Sequence, residues 1–338
     1  MDKLNVAAVG CGIYGQVVID SFADYHLCNL VAVCDLDERL ARRTADKHGC
    51  QWTTDVADIA ADADIQAVAV ATPDFAHRDI CVTLAAAGKH LLIEKPLATS
   101  VADAEAIASA VTEAGVTCLI DFHNRYNPAF ASIKARIDSG ELGRPQAAFI
   151  RLSDRREVAE KWFKWASRSG PEWFLGSHIA DLTCWLFDEY PLRVFAEGRK
   201  DVLVGQGIDC YDTVQIHLSF PTGMATLETS WIVPDTWPMI CDFSASVQGT
   251  AGRADANLTS HGVTVAGTDR FDFPLILAKT PIAGRDFGFF ALSVREFVRA
   301  AIAGRPSPIG VTEGVKNVKI IDAAINSIES GQIVEPRL

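Results

Sequence analysis

Three groups of residues in this 338-residue chain carry side chains and spacings that can do chemistry. In the first, an apolar run of Leu and Ile stops abruptly on Glu94, Lys95 and Pro96. A charged pair at the end of a buried strand costs desolvation unless it is paired or used, and the carboxyl end of a parallel strand is where ligands bind. Lys95 is therefore either a solvated strand terminus paired with Glu94 or a working amine. The second group is Gly10-Cys11-Gly12-Ile13-Tyr14-Gly15, a G-x-G-x-x-G that closes one apolar run and opens an amphipathic one, followed by Asp35. The third is His178 with Asp181, whose spacing of three puts an imidazole and a carboxylate on one helical face.

The glycines have separable tasks. Gly10 permits a tight turn, Gly12 lets the backbone approach a pyrophosphate, and Gly15 lets the helix sit against the strand. The backbone of the turn, through Ile13 and Tyr14, and the start of the helix would then face the phosphates. Asp35 ends the run "LVAVCD", where a carboxylate accepts both adenine-ribose hydroxyls and repels a 2′-phosphate. NAD is thus expected, while Arg39, Arg42 and Arg43 nearby keep NADP open. The structural alternative for Asp35 is a helix N-cap.

These groups need a scaffold, and the chain supplies one. From Leu4 to Phe122 short Val/Ile/Leu/Ala runs alternate with stretches of helical spacing, as in a doubly wound parallel sheet buried on both faces. Beyond residue 123 the rhythm changes to long alternating segments such as "DTVQIHLSF" and "GMATLETSWIV", joined at Pro221-Thr222-Gly223. That pattern predicts an α+β domain on a large, open, mostly antiparallel sheet with one wet face. The expected division is a Rossmann dinucleotide-binding domain over 1–122 and a substrate-binding and oligomerisation domain over 123–338.

Composition excludes several classes. A net charge of −12 with no Lys/Arg-rich run opposes a nucleic-acid partner. No uncharged stretch is long enough to cross a membrane, so a soluble protein is expected. Nine dispersed cysteines without a C-x-x-C pair read as buried thiols in a reducing cytoplasm, with neither a disulfide framework nor a metal site.

With the glycine turn in place, "ATPDFAH" at 71–77, "EKP" at 94–96, "RYNP" at 125–128, "SGELGRP" at 139–145 and "GSHIADLTCWL" at 176–186 make the chain resemble the Gfo/Idh/MocA family. Its members are nicotinamide-dependent dehydrogenases acting mainly on sugars and cyclitols, and the resemblance covers nearly the whole chain. It implies that Lys95 lies beside the nicotinamide and the reacting hydroxyl, stabilising developing alkoxide and relaying a proton. It implies likewise that Thr72, Pro73, His77 and Glu94 line the cofactor, that His178 is a base, and that Asp181 binds substrate. A homodimer or homotetramer is implied in the same way.

One position departs from the family pattern: many members carry an Asp four residues before this His, where this chain has Phe174. Either another acid, Asp181 or Asp154, takes over, or the chain relies on Lys95 with His178. Between Asp154 and Trp173 lie Arg155, Arg156, Lys161, Trp162, Lys164, Trp165 and Arg168. Aromatic faces there suit a pyranose and an arginine fork suits an anionic substituent, but "EVAEKWFKWASR" is equally an amphipathic surface helix or a subunit contact. Asn124 and Arg125 border the substrate or serve the hinge.

The expected activity is NAD(P)-dependent oxidation of a secondary hydroxyl of a sugar, sugar acid or cyclitol to a ketone. Two rivals share the fold: a glycoside hydrolase that keeps NAD bound and works by transient oxidation, and a catalytically silent nucleotide-binding sensor. Net accumulation of NADH separates them.

Overall fold

The computed structural model describes residues 3–268, 271–283 and 285–338. The chain packs as two units, Met1–His123 with Ala278–Val315, and Asn124–Leu277 with Lys316–Leu338. The first unit alternates strand and helix: β1 (Leu4–Val9), α1 (Ile13–Asp24), β2 (Cys28–Cys34), α2 (Glu38–His48), β3 (Gln51–Thr53), α3 (Val56–Ala61), β4 (Ala67–Val70), α4 (His77–Ala86), β5 (His90–Ile93), α5 (Val101–Ala114) and β6 (Cys118–Ile120). The strands form one parallel sheet in the order β3-β2-β1-β4-β5-β6. The apolar runs Ala67–Val70 and Cys118–Ile120 are buried throughout, as strands covered on both faces must be. Chain direction around the sheet reverses between β1 and β4, so the crevice beyond their carboxyl ends is the expected ligand position.

Helix limits follow local chemistry. Asp37 caps α2 by accepting from the N–H groups of Arg39 and Leu40, and Gly49 ends that helix at φ 68°. Ser100 caps α5 through the Asp103 N–H. No side chain caps α1, whose N-cap is Gly12, so its first N–H groups must be met from outside the helix.

The second unit contains α6 (Pro128–Asp138), β7 (Pro145–Arg155), α7 (Ser177–Phe187), β8 (Arg193–Arg199), β9 (Thr213–Ser219), β10 (Met224–Val233), β11 (Cys241–Gly249) and β12 (Arg253–Asn257). Its sheet runs β12-β11-β7-β10-β9-β8, antiparallel except for the β7–β10 pair. The alternation in β9, with Val214, Ile216 and Leu218 buried and Gln215 exposed, gives the sheet one packed and one open face. Helix α7 is buried on every side apart from Trp185, so the polar side chains it carries, Ser177, His178, Asp181 and Thr183, lie inside the protein with its apolar ones.

One boundary differs from the sequence expectation. Residues 278–315, expected in the second domain, pack with the first unit. Their helix α8 (Phe289–Ala303) buries Phe289, Val294, Phe297 and Val298. Lys279 pairs with Asp20 at 2.8 Å and Arg295 with Asp24 at 3.4 Å, both acids lying on α1. Farther on, the Ile309 carbonyl accepts from the Ile120 N–H, capping the sheet edge at β6. The final helix, α9 (Val311–Ser330), begins within that returning segment. Among the described residues no helix is long and apolar enough to cross a membrane.

The glycine turn yields a clean separation of stability from binding. A methyl group at Gly15 would overlap the Gly10 carbonyl, whereas one at Gly12 meets nothing within 4 Å. Gly15→Ala is therefore expected to lower apoprotein stability by about 1–3 kcal/mol in denaturant unfolding. Gly12→Ala should leave stability within about 0.5 kcal/mol of wild type and weaken NAD binding, read by fluorescence titration. Equal effects of the two variants on stability would contradict this assignment of roles.

Candidate active site

The cradle is built on the carboxyl ends of β1, β2 and β4. Gly10 adopts φ 96°, and a side chain there would collide with the backbone at Ala71 and Thr72. Asp35 holds this turn: its Oδ2 accepts from the Cys11 N–H at 2.7 Å and its Oδ1 from the Asp37 N–H at 2.8 Å. The N-cap alternative for Asp35 fails, because Asp37 caps α2. Arg39 is exposed, and Arg42 pairs with Glu38 at 2.6 Å while lying over Trp52.

Two expected cofactor residues turn inward. His77 is completely buried, its Nδ1 3.1 Å from the Pro96 carbonyl and its Nε2 3.1 Å from the Thr72 carbonyl. It therefore links the Thr72-Pro73 turn to the Lys95-Pro96 turn, and burial holds its pKa below the ordinary histidine value. Its side chain is a strut between the two loops. Tyr14 likewise sends its side chain away from the turn, while Ile13 beside it stays exposed.

The Tyr14 hydroxyl reaches a charged cluster at the ends of β5 and β6. Ile93 pairs with Ile120 in the parallel register, and the Asp121 N–H donates to the Ile93 carbonyl at 2.8 Å, so Glu94 and Asp121 leave the sheet side by side. Lys95 Nζ lies 3.5 Å from Glu94 Oε1, and its side chain is only 1% exposed. Tyr14 donates to Asp121 Oδ2 at 2.8 Å and its oxygen lies 2.9 Å from His123 Nδ1. Burial pushes Glu94 up to about 8 and Asp121 up to about 6, the latter held down in part by the hydroxyls of Ser293 and Tyr14. Burial, with Lys95 nearby, drives His123 well below its ordinary value.

Glu94, Asp121 and His123 offer donor atoms within 4.8 Å of one another, a set that could hold a cation. The Tyr14 hydroxyl already engages one oxygen of Asp121 and Nδ1 of His123, and the Lys95 ammonium beside Glu94 opposes added positive charge. The arrangement suits proton exchange better than metal binding.

In the second unit His178 and Asp181 are buried one turn apart on α7. Arg125, from the turn His123–Tyr126 that also carries the buried Asn124, clamps Asp181: Nε donates to Oδ2 at 2.8 Å and Nη2 to Oδ1 at 2.5 Å. That fork fixes the carboxylate in both position and orientation. The 154–173 stretch is not one amphipathic helix but a π-helical turn at Val158–Trp162 and a 3-10 turn at Ala166–Arg168. Arg155 is held by Glu157 and by the Trp237 carbonyl at 3.2 Å. Trp165 stacks on Phe163 with centroids 4.4 Å apart, and Phe174 meets Phe163 edge-on at 4.9 Å. Where the family pattern has an acid, Phe174 completes an aromatic wall that also takes in Trp231.

The profile of the oxidoreductase family with an NAD-binding Rossmann fold matches residues 4–122, and that of the Gfo/Idh/MocA C-terminal domain matches 130–255. The fold and the glycine-turn site thus define a dinucleotide-dependent oxidoreductase. The chain belongs to the Gfo/Idh/MocA family. It is 28% identical to the scyllo-inositol 2-dehydrogenase (NAD(+)) of Bacillus subtilis (strain 168), over 98% of this chain and 96% of that protein. It is 26% identical to an inositol 2-dehydrogenase of Rhizobium meliloti (strain 1021), over 95% of both chains. The crystal structure of GenD2 from gentamicin A biosynthesis, in complex with NAD, superposes with a TM-score of 0.87 at 25% identity, covering 100% of this chain and 97% of that one.

The buried acids make a stability prediction whose sign is fixed. Glu94 is raised from 4.5 to about 8 and Asp121 from 3.8 to about 6, so over these windows the folded apoprotein holds protons that the unfolded chain has released. Stability must then fall as pH rises, through Asp121 up to about 6 and through Glu94 up to about 8, with a slope of up to about 1.4 kcal/mol per pH unit for each retained proton. Glu94→Gln should flatten the decline above pH 6. Urea unfolding at a series of pH values measures this, and an unchanged slope in the variant would refute it.

Proposed function

We propose that the protein is an NAD-preferring dehydrogenase that oxidises a secondary hydroxyl of a cyclitol or neutral sugar to a ketone. The observation that carries this reading is Lys95, a buried amine beside Glu94 at the strand end that borders the dinucleotide cradle. A nicotinamide held in the cradle would supply the hydride acceptor. Lys95 donates a hydrogen bond to the reacting oxygen, stabilises the developing alkoxide, and passes on the hydroxyl proton. His178 serves as a base, and Asp181, fixed by Arg125, accepts from a second hydroxyl.

The preference for NAD rests on Asp35, whose carboxylate holds the turn and would repel a 2′-phosphate. The preference for a neutral polyol rests on Arg155, whose charge is already met by Glu157. The aromatic wall of Phe163, Trp165 and Phe174 suits the apolar face of a ring. All nine cysteines are free thiols, which suits a reducing compartment such as the cytoplasm.

The open sheet face supports a homodimer or homotetramer. Phe149, Thr226, His217 and Phe195 fall in one cross-strand row on the same face, with the Arg151, Glu228 and Asp242 ion pairs beside it. Phe149, Phe195 and Met224 are exposed there. Sedimentation should show an oligomer that Phe149→Glu weakens; a monomer at all concentrations would rule this out.

The activity test is NADH formation from NAD, and NADPH from NADP, across inositols, neutral pyranoses, aldonic acids and uronic acids. Oxidation of the neutral cyclic polyols with NAD is expected, and Lys95→Ala should cut the rate by about a hundred- to ten-thousand-fold with NAD binding retained. No turnover on any polyol despite NAD binding, or full activity in the variant, would overturn the proposal.

A further inference from the structure

Between Gly170 and Cys184 every residue but one is buried, and the exception is the large apolar Phe174. Its place is fixed by the backbone around it. The Phe174 N–H donates to the Gly170 carbonyl at 2.9 Å, and the Pro171 carbonyl accepts from Thr229 Oγ1 of β10 at 3.1 Å. Phe174 lies in a π-helical turn, Glu172–Gly176, that runs directly into α7. Four residues are close to one turn in α and π geometry alike, so Phe174, His178 and Asp181 follow one another along one side of this helical run.

Three more rings join it. Phe163 and Trp165 stack at 4.4 Å, Phe174 stands edge-on to them at 4.9 and 6.2 Å, and Trp231, fully buried, lies 5.9 Å from Phe174. Phe163, Trp165 and Phe174 are each only part-buried, so the cluster keeps an apolar surface open. A phenyl ring offers a hydroxyl no more than a weak π contact. The acids nearest Phe174 in sequence are committed elsewhere: Glu172 is buried and turned back against Gly170, and Asp181 is held by both arms of the Arg125 fork. A substrate hydroxyl set against Phe174 would give up its water without a replacement, whereas a methylene or methyl group there gains by leaving water.

We propose that Phe174 is a specificity-determining residue, and that the substrate presents to it a carbon in place of a hydroxyl: a deoxy position or a methyl group on the cyclitol or sugar ring. This deepens the proposed function and rests on its reading of His178 and Asp181 as groups that meet the substrate. Recognition is divided along the helical run. Asp181 accepts from a hydroxyl, His178 meets the reacting carbinol, and Phe174 takes the apolar substituent. An acid at this position, as in many members of the family, would favour a hydroxyl there; the phenyl ring reverses that choice.

The test measures kcat/KM with NAD for inositols and pyranoses, each paired with its mono-deoxy and mono-O-methyl derivatives, in wild type, Phe174→Asp and Phe174→Leu. At one position around the ring, wild type should prefer the derivative to its parent by about ten- to a hundred-fold. Phe174→Leu, which stays apolar, should keep that order, and Phe174→Asp should move the ratio toward the parent by about ten-fold or more. The first comparison needs wild type alone, and Phe174→Asn replaces the aspartate variant if the latter does not fold. The proposal is overturned if the parent is the better substrate in every pair, or if the polar variant slows both members of the preferred pair by the same factor. Should wild type oxidise no compound, the proposed function fails, and titration calorimetry with the NADH-loaded protein decides the inference. Tighter binding of one derivative than of its parent supports it, and equal, reversed or undetectable binding refutes it.

Discussion

The structure turns on the cost of taking charge out of water at the ends of two neighbouring strands. Glu94, Lys95 and Asp121 cluster where β5 and β6 stop, and none of them is solvated as a surface residue would be. Uncompensated, each buried charge costs several kcal/mol. Compensation comes from the opposite signs, from the Tyr14 and Ser293 hydroxyls, and from protonation equilibria moved far from their ordinary values. A fold that merely needed to be stable would end these strands on apolar residues, so the cost points to use.

That constraint explains features that otherwise look unrelated. Helix α1 must begin tightly enough on β1 for Tyr14 to reach the end of β6, and the close seating of Gly15 against Gly10 provides it. Segment 278–315 must return to the first unit, since Phe289, Phe290 and Ser293 cover the cluster. His77 ties the turn after β4 to the turn carrying Lys95, so the loop bearing the amine is held from behind. In the second unit the same logic recurs on a smaller scale, where Asp181 is buried on α7 with Arg125 as its counter-charge.

Much of this was legible in the sequence, and the limits have physical causes. The glycine turn, Asp35, the strand–helix alternation and the Glu94-Lys95-Pro96 ending all depend on local spacing, which sequence carries. The return of 278–315 did not show, because an amphipathic pattern such as that of α8 says that one face is buried without saying against what. Tyr14 occupies an x position of the glycine motif, where no pattern tells whether the side chain turns toward the phosphates or inward. Asp121 and His123 did leave a signal: they end the apolar run "CLI" as Glu94 and Lys95 end theirs, and adjacency of β5 and β6 would have joined the pairs. The Arg125–Asp181 fork and the wall around Phe174 join residues far apart in the chain and needed the folded coordinates.

The central claim is a net hydride transfer from a carbinol carbon to the nicotinamide. The most direct measurement is to incubate the protein with NAD and an inositol carrying deuterium at its carbinol carbons, then to follow the label in both cofactor and carbohydrate by mass spectrometry. The account predicts a deuterated reduced cofactor and a ketone lacking one deuterium, in equal amounts. Retention of all deuterium in the inositol, with NAD bound and unreduced, would contradict it.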